Sequence, residues 1–167
     1  MPSTEKPLDL SALKQLFGKS ADVYFQEYLF QQHRVQFVIC EAMIDQQLLN
    51  DVIVSRIHAL FDNFHEASLQ DAINTKLHIP DLQQVTDESE AISLVYNGHL
   101  LLFFETDNLL YATNIAHKPD RNPEETRMEV LVKGPRDNFI EDVSVNIALI
   151  RKRLPTNSLC VEKMELG

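Results

Sequence analysis

The chain has 167 residues, 44% of them hydrophobic and 24% charged, and a formal net charge of -10. That balance suits one globular domain, or one domain with a small satellite, with no low-complexity tract or internal repeat. It disfavours non-specific nucleic-acid binding, because a phosphate polyanion meets a like-charged surface, and no apolar run approaches the roughly 20 residues that span a bilayer.

The amino terminus, MPSTEKPLDL, lacks a basic start followed by an apolar core, so no signal peptide is expected. As given, the polypeptide reads as soluble and cytosolic. LDLSALKQLF has apolar residues at helical spacing with Gly18 behind them, which predicts a short helix stopped by glycine. The period then changes: Val23 to Phe30 and Val35 to Ile44 read as two strands joined by a polar connection.

From Asp45, the residues Leu48, Leu49, Val52, Ile53, Ile57, Leu60, Phe61 and Phe64 recur every three or four positions. A long amphipathic helix capped by Asp45 follows from that spacing. ASLQDAINTKL is a weaker helix, IPDLQQV a connector, and DESEAISLVYNG a helix ending at Asn97-Gly98. HLLLFFE and NLLYATNIA flank a turn near Thr106 to Asn108 and predict a hairpin. AHKPDRNPEET, residues 116–126, has two prolines and no apolar period, so it is the candidate loop or internal linker. MEVLV and the terminal LCVEKMEL are read as further strands. The order implies an α+β fold: a mixed, mostly antiparallel sheet of four to six strands packed with helices, rather than a doubly wound parallel sheet. Residues 1–20 form an N-terminal helical segment and 21–167 one α/β unit.

Chemistry-bearing patterns are sparse. The six histidines, His33, His58, His65, His78, His99 and His117, are scattered. His58, Asp62 and His65 share a helix face, but the HExxH spacing that would bring two imidazoles onto one metal is absent, so no metal site is expected. Four glycines cannot supply a phosphate-cradling loop. Cys40 and Cys160 each lie in an apolar run and are expected as two buried free thiols, with no base placed to activate Cys40. Asp87, Glu88 and Glu90 open a helix, where the macrodipole explains them. The reading is therefore non-enzymatic, without a cofactor.

The most defined stretch is KGPRDNFIEDVSVNIALIRKRL, Lys133 to Leu154. Gly134-Pro135 makes a stiff corner, and Asn138 stands three residues before Glu141, close to a capping box. Phe139, Val143, Ile147, Ile150 and Leu154 form a stripe expected to be buried. Asn146 lies beside it, where a buried amide needs partners, for instance at a strand end. Arg151, Lys152 and Arg153 close the helix before Pro155 and complement its dipole. Six cations gather between Arg127 and Arg153. They suit docking onto an acidic neighbour or membrane surface, or simply a solvated helix end.

This segment closely resembles the signature of the spore germination receptor A-subunit family of GerA type, with its GPR-x-x-F element and its Asn-x-Ala-Leu-Ile-Arg-Arg-Arg-like run. LFGKSADVYFQEYLF, VQFVICEAMIDQQLLNDVI and SLVYNGHLLLFFE resemble the preceding parts of the family in order, so the likeness runs from about Leu8 to Leu166. Asn138 stands where the family usually has Gly, and Ile147 where it usually has Thr. The resemblance implies Gly134, Pro135, Arg136, Asn138, Phe139, Asn146, Arg151, Lys152 and Arg153 as signature or interaction residues, with Arg136 and the Arg151–Arg153 cluster offered to a neighbouring subdomain or subunit. It further implies a soluble region of two α/β subdomains followed by transmembrane helices, of which this chain holds the first part. The partners implied are B-type and C-type subunits and further A-type copies, at the cytoplasmic (core) side of the spore inner membrane. The role implied is receptor assembly and signal transmission; the alternative is a sensing domain that binds a germinant in a cleft.

Overall fold

The computed structural model describes residues 8–65, 68–116 and 143–166. Asp9 opens α1 (Leu10–Phe17) by accepting from the Ala12 N–H at 2.8 Å, and Leu13 and Phe17 turn inward. β1 (Val23–Phe30) and β2 (His33–Cys40) follow as an antiparallel hairpin, in register from Val23 opposite Cys40 to Phe30 opposite His33. The tight turn places Gln31 at φ 56°.

Asp45 caps the next helix through the Leu48 N–H, as expected. The helix runs from α2 (Gln46–Leu48) through a π-helical turn (Leu49–Ile53) into α3 (Val54–Asp62). An uninterrupted α-helix was expected. Leu49, Ile53, Ile57 and Phe61 are all buried and spaced by four, a spacing that drifts around a helix of 3.6 residues per turn. A wider first turn keeps Leu49 and Ile53 on the same inner line.

Ser68 caps α4 (Leu69–Lys76), and Asp87 caps α5 (Glu88–Tyr96). Between them lies β3 (Gln83–Gln84), two residues within the expected connector. β4 (His99–Phe104) and β5 (Leu109–Asn114) form the second hairpin, turned at Asn108 with φ 53°. α6 (Val143–Arg153) is the last regular element described.

The five strands make one sheet in the order β1-β2-β4-β5-β3, every pairing antiparallel. This is the mixed α+β class the sequence implies. Because side chains alternate across a strand, β2 and β4 feed two cores. Phe37, Ile39, Leu100 and Leu102 meet Ile53, Ile57 and Ile73 on one face; Val38, Cys40, Leu101 and Phe103 meet Phe17, Val95 and Tyr96 on the other. Helices therefore cover both faces.

The predicted terminal strand does not form: residues 160–166 have no regular secondary structure. The Val161 carbonyl accepts from the Ala21 N–H at 2.6 Å, but the Val161 N–H donates to the Ser20 hydroxyl at 2.9 Å, so a side chain interrupts the ladder a strand requires. The predicted strand at 128–132 and the linker at 117–126 lie outside the described residues; Ala116 itself bridges to Ile44.

Gly98 joins α5 to β4 at φ +90°, and a Cβ there would stand 2.6 Å from the Ala116 Cβ and 2.8 Å from the Met43 carbonyl oxygen. Positive φ and backbone crowding act together. Gly98→Ala is expected to cost about 2 kcal/mol or more and lower the melting temperature by about 4–8 °C, read by thermal unfolding.

Candidate functional site

Arg151 is fully buried and sits on the face of the Tyr96 ring, its guanidinium carbon 3.9 Å from the ring centroid. Nε donates to Asp22 Oδ2 at 2.7 Å, and Nη2 to Asp22 Oδ1 and to Ser20 Oγ, both at 2.8 Å. Nη1 donates to the carbonyls of Thr156 at 3.1 Å and Leu159 at 3.0 Å. All five guanidinium N–H groups are thus engaged. The Ser20 hydroxyl completes the ring of contacts by donating to Asp22 Oδ1.

The partners come from three separate parts of the chain. Asp22 and Ser20 lie in the turn that leads into β1, Tyr96 ends α5, and the two carbonyls belong to the chain leaving α6. The Tyr96 hydroxyl donates to Asn157 Oδ1 at 3.1 Å and ties that exit segment to α5 as well. Burial pushes the Asp22 carboxyl up, but the hydrogen bonds and charge of Arg151 together with the Ser20 hydroxyl outweigh it and hold the carboxyl below its ordinary range. Burial, reinforced by the Asp22 charge, pushes the Cys40 thiol up to about 12. Cys40 therefore remains protonated at neutral pH and faces Asp22 Oδ2 at 3.6 Å as a weak donor, not a nucleophile.

This geometry corrects three expectations. Arg151 is not offered to a neighbour, because its charge is satisfied inside the domain; only Lys152 and Arg153 of the basic trio are exposed. The apolar stripe is not buried either: Val143 is 67%, Ile150 41% and Leu154 52% exposed, with Leu149 beside them at 54%. The inner face of α6 runs instead through Ile147, Ala148 and Arg151, and Asn146 beside it is half-buried. Cys160 is exposed, its thiol directed to the Lys19 carbonyl oxygen at 2.8 Å.

Gly134, Pro135, Arg136, Asn138 and Phe139 lie outside the described residues. Ser20, Asp22 and Tyr96 escaped the sequence reading. One signal pointed toward them, because Arg151 stands four residues after Ile147 and so on its face. On α3, His58 Nδ1 pairs with Asp62 Oδ2 at 2.8 Å, and Asp62 also accepts from Gln31 at 2.6 Å, so this carboxylate serves the β1–β2 turn. Near the Arg151 cluster, α5 and residues 155–158 enclose a groove of about 410 Å³ lined by hydroxyl and amide side chains. Among the described residues no helix is long and apolar enough to cross a membrane.

Comparison with known proteins matches residues 11–167 to the family described as Bacillus/Clostridium GerA spore germination protein. The chain is 30% identical over 135 residues to spore germination protein XA of Bacillus anthracis, covering 80% of this chain and 27% of that protein. It is 28% identical over 160 residues to spore germination protein GerQA of Bacillus cereus, covering 95% and 31% respectively. The chain thus spans about a third or less of these relatives. The crystal structure of the N-terminal domain of the A subunit of the Bacillus megaterium spore germinant receptor GerK3 shares the fold, with a TM-score of 0.65 at 17% identity over 95% of this chain and 58% of that one.

Removing one partner of a buried ion pair strands the other charge. Arg151→Ala is expected to lose about 3–5 kcal/mol of unfolding free energy, whereas Arg153→Ala, at an exposed position, stays within about 0.5 kcal/mol; urea denaturation of both distinguishes them. The depressed Asp22 carboxyl makes its contribution fully present above its ordinary value of 3.8 and lost as pH falls through the lower folded value. The stability gap between the wild type and Asp22→Asn should hold constant from pH 7 to about 5 and shrink below about 4, as followed by denaturation at each pH.

Proposed function

This chain belongs to the GerA family of spore germination proteins, and we propose that it acts, without catalysis of its own, as the first α/β subdomain of a nutrient germinant receptor A subunit, in receptor assembly and signal transmission. The observation that carries the proposal is the division of α6 into two faces. Its inner face is fastened by Arg151, and its outer face presents Leu149 and Ile150 to solvent. A fixed helix with exposed apolar side chains is suited to being covered by another protein surface. The exposed Lys152 and Arg153 at its end set charge complementarity and encounter rate.

In this reading the covering surface belongs to the receptor, whether a second subdomain, another A-type copy, or a B-type or C-type subunit. The domain then lies on the cytoplasmic (core) side of the spore inner membrane. A second reading, direct sensing of a small germinant, is favoured by the groove beside the Arg151 cluster.

Leu149→Glu combined with Ile150→Glu is expected to leave the melting temperature of this chain within a few degrees, since both side chains are exposed, yet to lower receptor subunit recovery and germination in spores. Wild-type subunit levels together with wild-type germination would refute the assembly role.

A further inference from the structure

We propose that Asn97 is a site of spontaneous covalent modification, at which the chain deamidates through a succinimide and thereby loosens the seat of Arg151. Asn97 is the one asparagine in the sequence followed by glycine. It is exposed, at the end of α5 and on the corner that leads into β4. Because the next residue carries no Cβ, nothing screens the backbone nitrogen of Gly98 from the Asn97 side-chain carbonyl carbon.

The reaction needs water and a solvent base and nothing else. The base removes the amide proton of Gly98, and the nitrogen attacks Asn97 Cγ. The Cγ–Nδ2 bond breaks, the side-chain nitrogen leaves as ammonia after taking a proton from water, and a five-membered imide remains. One water molecule then opens the ring. Opening at Cγ restores the main chain with an aspartate at position 97, whereas opening at the α-carbonyl carbon routes the chain through the side chain as isoaspartate.

The fold restrains both reacting groups. Asn97 Nδ2 donates to the Ser93 carbonyl at 2.7 Å and to Ser93 Oγ at 3.3 Å, and the Gly98 N–H donates to the Val95 carbonyl at 3.2 Å. Cyclisation has to break these contacts, so it proceeds from molecules in which the last turn of α5 has opened. Opening at a helix end lies at the low end of the local stability range. The folded chain therefore reacts more slowly than an unfolded one, at a rate set by that opening.

The products do not fit the corner. Isoaspartate adds a backbone carbon just before Gly98, which is already crowded: a Cβ on Gly98 would stand 2.6 Å from the Ala116 Cβ and 2.8 Å from the Met43 carbonyl oxygen. Either product sets a carboxylate at the C-terminal end of α5, where the helix dipole opposes it, and removes the N–H groups that bond Ser93. Tyr96 is the adjacent residue. Its ring carries the Arg151 guanidinium and its hydroxyl holds Asn157, so a change at position 97 passes to the buried ion pair and to α6.

The test is incubation of this chain at mildly alkaline pH and physiological temperature, folded and in urea, followed by peptide mapping that separates aspartate from isoaspartate at position 97. The expected result is conversion at Asn97 that quickens with rising pH, runs about tenfold or more slower in the folded chain than in urea, and yields a converted fraction with a lowered melting temperature. Asn97→Gln, whose longer side chain would have to close a six-membered ring, should keep its melting temperature through the same incubation; Asn97→Ser serves if glutamine disturbs the cap. No conversion at Asn97 in the folded chain, with conversion in urea, would overturn the site. Equal rates in the two conditions would overturn the restraint by α5. Converted protein with the wild-type melting temperature and an unshifted Arg151 Nε–H resonance would overturn the link to Arg151.

Discussion

A single guanidinium determines how this domain is joined. Arg151 is buried without residual exposure, and the cost of removing its charge from water is offset only because every N–H finds an acceptor and the carboxylate is met at both oxygens. A lysine could not do this, since a point charge on a flexible stem cannot address a carboxylate, a hydroxyl and two carbonyls in one plane. The cluster fixes three things at once: the entry into β1, the end of α5 and the path of the chain after α6.

The sheet supplies the frame in which that fixation has meaning. β2 and β4 are buried on both faces and bind one helical layer to the other. α6 belongs to neither layer in the same way. Among the described residues its attachment runs through the Arg151 contacts, and its outer side chains remain in water. The proposed covering of α6 by another protein surface would require this balance.

Much of the fold was legible because it is written in local periodicity. The three- and four-residue spacing after Asp45 specified the long helix, and two apolar runs either side of a polar turn specified the β4–β5 hairpin. What escaped was whatever depended on distant partners. A run of cations at a helix end is fully accounted for by the dipole, so only the place of Arg151 four residues after Ile147 set the first member of the basic trio apart from the other two. Asp22 precedes a strand and looks like a turn residue until a guanidinium arrives from 129 positions away. The apolar stripe of α6 carried the right period for burial, but periodicity reports that a face must be covered, not that the covering surface lies in the same domain. The terminal segment had strand composition, yet Ser20 receives a hydrogen bond that a ladder would have needed.

The same separation of 129 positions carries a temporal consequence. Closing so long a loop costs chain entropy that only the finished sheet can offset. During synthesis Ser20 and Asp22 emerge long before Arg151, and Asp22 must wait as a hydrated carboxylate at the mouth of a hairpin already able to pair. The cluster is therefore among the last tertiary contacts a growing chain can close. Its strength bears mainly on how slowly the domain comes apart, and hardly on how fast it first folds. Slow opening is then the property that sets the lifetime of the folded domain.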